Sequence, residues 1–438
     1  MPNSDHQHNY LFAACTPYVQ VSHCYRCAQH VPPSIVIGMN LPTADYYGIT
    51  DPEEAHRAIR KTRDAGPIAR SPYGVEVLSY ELVRSVLRDT RFVMPAGNGL
   101  AALGITAGPL WDRVSRSMVG TDGPAHQRLH RLVMPAFTPV VAQRIQTTCA
   151  DMMDELIDPH AGSGNCDVVA DIARPYPVPI IASLLGIPPS DWPRLSQWLR
   201  VISKVFSVRV HEHASAIETA WQAFDDYLDR IVTTARDDGL VATLRDSALD
   251  RDEVYTLIAL LFMAGTDTVR NQLAAAVQVF ADHPDQWALL AERPQLARAA
   301  VDEVMRYLPA SISVIRTATE DVELGGVVIP KGSYVVVNTA AANRDPAAFD
   351  APDRFDITRT SPPMLTFGGG PHRCIGAHLA KVELTEALQV LSRRMPGLRR
   401  VGPAPWRPIV GISGPRSLVV HFDRPRLSFG DQRQSQTR

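Results

Sequence analysis

The residue with the most chemistry around it is Cys374, in the stretch "LTFGGGPHRCIGAHLA". Three glycines and a proline precede it, and a helical pattern opens just after it, near Gly376. A small buried side chain is the commonplace use of a cysteine. A nucleophile calls for a His–Asn pairing signature, and none accompanies it. A phosphate loop would continue into GK[ST], which is missing. A metal thiolate fits the surroundings better. Glycines let backbone N–H groups turn toward the sulfur, and the positive end of a helix favours its charge. One thiolate without neighbouring Cys or His ligands does not build a zinc site. It does suffice as the single proximal ligand of a haem iron, where it pushes electron density toward bound oxygen and favours O–O cleavage.

The second chemical oddity is "AGTDT" inside "LIALLFMAGTDTVRNQL", the most apolar helical stretch of the chain. Gly and Thr both lower helix propensity, and a polar cluster in a buried helix costs stability unless it is satisfied or useful. One reading is a helix that bends where Thr hydroxyls bond back to carbonyls. The other is an oxygen-binding groove. At 3.6 residues per turn, Leu261, Ala264, Gly265, Thr268 and Gln272 share a face. Small Ala264 and Gly265 would leave room, Thr268 could donate a hydrogen bond, and Asp267 could relay protons from solvent as a general acid. A third feature is the i, i+3 pair Glu303 and Arg306 in "AVDEVMRYLP". On a solvated helix such a pair contributes roughly a few tenths of a kcal/mol.

Together these motifs resemble those of the cytochrome P-450 family, over residues of about 41–422. "FGGGPHRCIG" is similar to the haem signature F-x-x-G-x-H/R-x-C-x-G, with Phe367, Gly370, His372, Cys374 and Gly376 in the matching positions. "AGTDT" matches A-G-x-D/E-T, and Glu303 and Arg306 match E-x-x-R. The resemblance implies a mainly α fold with a small β region. A single large domain would hold haem b between a long distal helix and the Cys374 loop. It implies that the Glu303–Arg306 pair is buried, with Arg354 in "FDAPDRFDITR" as its third member. It implies that Arg316 and His372 meet the haem propionates. In "GTDGPAHQRLHRLV" His126 matches the family's H-x-x-x-R, but His130 stands in the arginine position. A histidine on a propionate, unlike arginine, would make haem retention weaken as pH rises.

The family's substrate-lining segments fall here on residues 93–119, 195–210, 261–268, 310–315 and 412–413. "SISVI" and "LWDRV" suggest an apolar pocket with few charges. The implied activity is monooxygenation: one oxygen atom of O2 enters a hydrophobic small molecule of secondary-metabolite, terpenoid, steroid or aromatic type. Electrons would come from a separate ferredoxin and ferredoxin reductase, since no flavin or iron–sulfur domain is expected in the chain. Desaturation, oxidative coupling and peroxide-driven chemistry are the alternatives, and the pocket decides among such outcomes.

The elements that must position these residues are mostly helical. "DPEEAHRAIRKTRDAG" reads as a capped helix ending at Gly66, and "PIARSPYGVEVLSY" as a hairpin turning at residues 72–74. Long helical patterns dominate from about residue 124 to 309, among them "AHQRLHRLVMPAF", "VAQRIQTTCADMMDELID" and "RDEVYTLIALLFMAGTDTVRNQLAAAVQVFADHP". A β-rich patch follows in "VELGGVVIPKGSYVVVNTAA", and "GISGPRSLVVHF" reads as a final strand pair. The "AGNGLAALGITAGPL" stretch is Gly- and Ala-rich and reads as a mobile lid.

Composition sets the remaining bounds. The 438 residues are 45% hydrophobic and 21% charged with a formal net charge of −2, which is ordinary for a globular protein. No basic footprint for nucleic acid is present. No apolar run of the ~18–20 residues of a membrane span is apparent, nor any signal-peptide pattern. Six cysteines are too few for a disulfide scaffold, so a reduced, cytoplasmic protein is expected. Residues 1–40 read as a separate, disordered leader; Cys24 and Cys27 in C-x-x-C spacing, with Cys15, His23 and His30 nearby, are weak evidence for zinc because no second matching pair follows. The domain is expected over 41–430, with a frayed tail over 431–438.

Overall fold

The computed structural model describes residues 40–424, apart from 208, 235–238 and 361. The expectations for the leader, its cysteines and the tail fall outside the described residues.

Helices begin where the local chemistry directs them. Asp51 accepts the Glu54 N–H at 2.7 Å and Pro52 supplies a preset φ, so the Pro52–Ala65 helix starts there and stops at Gly66. The hairpin follows as Ile68–Ser71 and Gly74–Val77. A capping box between Asp250 and Glu253 opens the helix Arg251–Asp282, whose 32 residues cross the molecule. It packs on Pro177–Leu185, Val168–Ala173, Ala297–Tyr307 and Ala377–Arg394. The last of these helices starts at Gly376, two residues beyond Cys374, and lies along Gln146–Ala161.

The β region is small, as expected for a mainly α fold. A five-stranded sheet runs in the order Ile68–Ser71, Gly74–Val77, Tyr334–Val337, Val314–Ala318, Phe92–Val93. Only the pairing of Gly74–Val77 with Tyr334–Val337 is parallel. Val322–Leu324 and Val327–Ile329 form a separate hairpin.

Three expectations are corrected. "GISGPRSLVVHF" is not a strand pair. Val419–His421 is its one strand, and it pairs with Asn165–Asp167 and Arg399–Arg400. The first half of that stretch lies against residues 310–312 instead, through Ser413 N–H to Ala310 C=O at 2.8 Å. Strand pairing is non-local, so a local pattern could not assign either partner. "VAQRIQTTCADMMDELID" is two helices, Pro139–Arg144 and Gln146–Ala161, broken at Ile145. Finally, one helical run does have the length and composition of a span: Val168–Leu185 has a mean hydropathy of 1.3 over 18 residues. More than half of it is buried inside the protein, against the long helix.

The Glu303–Arg306 pair is no surface decoration. Its side chains are 3% and 2% exposed, and the guanidinium binds the carboxylate in a fork at 2.7 and 2.9 Å. Arg306 also donates to the carbonyls of Asn343, Pro352 and Arg354. The second cation on Glu303 is Arg359, at 3.1 Å, and not Arg354. The Arg354 side chain is 70% exposed and reaches Asp356; only its carbonyl joins the cage. Spacing along an irregular loop does not say which arginine turns inward.

Glu303→Ala or Arg306→Ala leaves a buried charge unpaired and should destabilise the fold by about 3–5 kcal/mol. Arg359→Ala should cost less, and Arg354→Ala should stay within about 0.5 kcal/mol of the parent. Denaturant unfolding of the four variants checks this ranking; an Arg354 variant as damaged as the Arg359 variant would reverse the assignment.

Candidate functional site

The Cys374 loop is held by its own backbone. The Cys374 N–H donates to Phe367 C=O at 2.9 Å, Gly368 N–H to Leu365 C=O at 2.8 Å, and Arg373 N–H to Gly370 C=O at 3.1 Å. Gly370 has φ +64°, and a Cβ there would lie 2.3 Å from the Leu87 carbonyl oxygen, so only glycine fits. The loop is tied to the E-x-x-R cage through Asn343. Its side chain accepts the Leu365 N–H and donates to Thr366, whose hydroxyl reaches Met305 C=O. Cys374 lies deep in the fold, yet its surface is accessible. Burial pushes its thiol up, while the Gly376 N–H and the Arg373 charge oppose that. The two opposing influences come from the helix start and the loop, where the sequence placed them.

The middle of the long helix is the second part of the site. Residues 254–263 and 271–280 are buried throughout, whereas Ala264 is exposed and residues 265–268 are half-buried. The helix opens there onto accessible space. The Thr268 hydroxyl donates to Ala264 C=O at 2.6 Å and the Thr266 hydroxyl to Phe262 C=O at 3.0 Å. The threonines therefore do bond back along the helix, which stays unbroken. Asp267 pairs with Arg270 at 3.1 Å. Gly265 has a different reason from the one expected. A Cβ on it would lie 3.0 Å from the Ile181 side chain, so its smallness admits the Pro177–Leu185 helix, and Ala264 is the residue that faces the opening. Gln272 pins the loop after the E-x-x-R helix, donating to Leu308 C=O and accepting from Ala310 N–H.

The third part is a cationic and imidazole group. Arg316, on the strand Val314–Ala318 next to the middle of the five-stranded sheet, is 4% exposed. It donates to the Met94 sulfur and to Ile315 C=O, and among the described residues no carboxylate pairs with it. Burial pushes its pKa down, with the Asp122 charge opposing. The His126 ring lies 4.2 Å from His372 and 5.5 Å from His130, tilted by 48° and 37°. His372 bonds Asp122 at 2.8 Å, and Asp122 also accepts the Met94 N–H. Asp122 was not foreseen. Burial pushes it up, but the His372 bond, the Met94 N–H and the charges of His372 and Arg316 leave it below the usual carboxylate range. A buried arginine without an acid, beside three imidazoles, fits an added dianion such as the two propionates of a haem.

The expected substrate-lining segments partly converge. Ser311 and Ile412 form a β-bridge, and Ile315 and Ile412 are large apolar side chains 38% and 45% exposed. The "LWDRV" segment departs from expectation. Arg113 forks onto buried Asp225, and Asp112, Arg113 and Arg116 line a charged cavity of about 260 Å³ with Asp252 and Glu253. That cavity uses the first turns of the helix Arg251–Asp282, about three turns before Thr268, and none of its lining comes from the Cys374 loop.

Comparison with known proteins decides the family. The sequence profile described as Cytochrome P450 matches residues 75–394. The chain belongs to the cytochrome P450 family. It is 37% identical to the mycinamicin IV hydroxylase/epoxidase of Micromonospora griseorubida, over 80% of this chain and 91% of that one. It is 33% identical to the luteothin monooxygenase of Streptomyces thioluteus, over 87% and 96%. The crystal structure of CalO2 superposes with a TM-score of 0.80 at 30% identity, covering 86% of this chain and all of that one. The protein is thus a P450 monooxygenase with the P450 fold, and family membership implies a haem cofactor.

The imidazole group supplies a measurable consequence. His126 is lowered to about 4, by burial first and then by His372 and His130, with Asp122 opposing. His130 is lowered by burial and by His372. Both folded values lie below the unfolded ~6.5. Their contribution to stability is therefore present above about pH 6.5 and is lost as pH falls through the lowered values. NMR titration of the haem-free protein should place the His126 midpoint at about 4, and His126→Asn should remove part of the acid destabilisation. A His126 midpoint at the ordinary value would contradict its close packing against the other two imidazoles. A propionate acts with the opposite sign, so haem transfer to apomyoglobin should speed up with rising pH, and His130→Arg should flatten that dependence.

Proposed function

We propose that Cys374 would supply the thiolate that holds haem b in this P450, and that Arg316, His372, His126 and His130 would meet its propionates. The observation that carries this reading is the conjunction of an accessible thiol with a buried arginine to which, among the described residues, no carboxylate is hydrogen-bonded. When bound, the haem supplies the O2 and electron chemistry. The chain's own residues supply the rest. Phe367, Gly370 and Gly376 shape the cradle: Phe367 C=O anchors the Cys374 N–H, Gly370 clears Leu87, and Gly376 presents its N–H to the sulfur. Ala264 leaves room on the opposite element. Asp267, part-exposed, takes up a proton from solvent, and Thr268 passes it inward once its hydroxyl turns from Ala264 C=O.

The substrate is a hydrophobic secondary metabolite. Apolar Ile315, Ile412 and Ala264 favour such a molecule, and similar proteins are named for luteothin and mycinamicin IV. Insertion of one oxygen atom is the proposed outcome. Electrons arrive from a ferredoxin and its reductase in the cytoplasm. Exposed Arg298 and Arg373, with His378 and Lys381, surround the Cys374 side, and a cationic surface there suits an acidic donor.

Reduced protein exposed to CO should show the strongly red-shifted Soret band of thiolate ligation, and Cys374→Ser should abolish it. A histidine-type band in the parent would refute the assignment. Thr268→Ala should retain that band and a substrate-induced spin shift yet divert electrons to peroxide; unchanged coupling would remove Thr268 from the relay. Arg298→Glu should slow reduction by ferredoxin, most strongly at low salt, without altering the CO band.

A further inference from the structure

Asp267 sits among more positive charge than its one ion pair accounts for. On its own helix it meets Arg270 at 3.1 Å. One helical turn later, Asn271 donates to Asp267 C=O at 2.7 Å and accepts from Arg407 of the C-terminal loop at 2.5 Å. Residues four apart on a helix are neighbours on one face, so the Arg407 guanidinium lies beside the Asp267 side chain. The charges it faces are Arg270 and Asp267 from the helix and Arg416 from its own loop. Arg407 is half-buried, and its Nε is buried without an acceptor among the described residues. A guanidinium removed from water beside two others is costly unless an anion compensates. The carboxylate that faces it is Asp267.

The loop does not need this guanidinium to stay in place. Trp406 donates to Gln278 at 2.8 Å, Ser413 N–H to Ala310 C=O at 2.8 Å, and the Ser413 hydroxyl to Arg407 C=O at 3.0 Å. Gly414 lets the loop lie directly on Asn271, where a Cβ would come within 2.7 Å of the amide oxygen. The backbone thus carries Arg407 to Asn271, and its side chain is left with an unused donor next to a carboxylate.

We propose that Arg407 is a positioning residue for Asp267: it offers the carboxylate a second cationic seat beside Arg270, so the side chain can leave the Arg270 pair without becoming unpaired. The inference rests on the haem reading above, in which Asp267 serves the proton path to Thr268. Arg270 holds the carboxylate along its own helix, and Arg407 holds it toward the loop that carries Ile412.

Carbon monoxide bound to the reduced haem protein is the probe, because it needs no known substrate. Arg407→Gln should shift the C–O stretching band by changing the field from Asp267, and the shift should vanish in an Asp267→Asn background. Arg407→Lys, which keeps the charge, should restore most of the parent band. Denaturant unfolding of the same haem-loaded set should show that the two substitutions are non-additive, by about fivefold in the folded-to-unfolded ratio. Equal band shifts in both backgrounds, or additive stabilities, would assign Arg407 to loop packing and overturn the inference while leaving the haem reading intact. A parent protein without the red-shifted thiolate CO band would instead overturn the haem reading, and this inference with it.

Discussion

The fold turns on one buried carboxylate. Glu303 has almost no access to water, and a charge in that position is tolerable only if it is neutralised and fully hydrogen-bonded. Arg306 and Arg359 do the first, and the Asp356 N–H helps to complete the second. The remaining donors of Arg306 are then aimed at carbonyls of residues 343, 352 and 354, so an irregular segment acquires a fixed path. Asn343 hands that order on to Leu365 and Thr366, at the entrance of the loop that ends in Cys374. The thiol is where it is because a salt bridge some 70 residues upstream has a single satisfied geometry.

The long helix works by the opposite rule. It is buried along most of its length and, its ends and Arg270 aside, breaks that pattern at residues 264–268, where small and polar side chains meet accessible space. Back-bonded threonine hydroxyls satisfy those polar groups at rest, so the cluster costs the helix little and leaves donors that can be redirected. Arg316, on the strand Val314–Ala318, is buried with no carboxylate hydrogen-bonded to it among the described residues, which would be a liability in a protein that never met a further anion there. Seen this way, the site is poorly satisfied by the polypeptide alone and well matched to a planar, doubly acidic cofactor.

Much of this was legible beforehand. The cysteine loop was readable because the chemistry is local: glycines, a thiol and a helix start within ten residues. So was the long helix, through its apolar run. The Glu303–Arg306 spacing was readable as a pair but not as a cage, since the partner arginine comes from a loop. Arg354 and Arg359 are equally plausible on paper; one is turned to solvent by the path of the chain and the other is not. Asp122 gave no local signal, because its importance comes from His372, 250 residues away. Gly265 was assigned to the wrong neighbour for the same reason: the void that a missing side chain leaves belongs to whichever helix packs there.

The sequence by itself determined most element types, the helix boundaries set by Asp51, Asp250 and Gly376, the glycine-rich loop that presents Cys374, and the small and polar run at residues 264–268. These follow from propensity, capping and backbone freedom, which act over a few residues. Only the tertiary structure decided which cation completes Glu303, that the C-terminal segment lies on Ala310 and Asn271 and supplies one strand, that His126 packs between His130 and His372, and that Arg113 meets Asp225. Each of these joins groups far apart in the chain, and their pairing depends on burial and charge balance summed over the whole packed molecule, which no local pattern encodes.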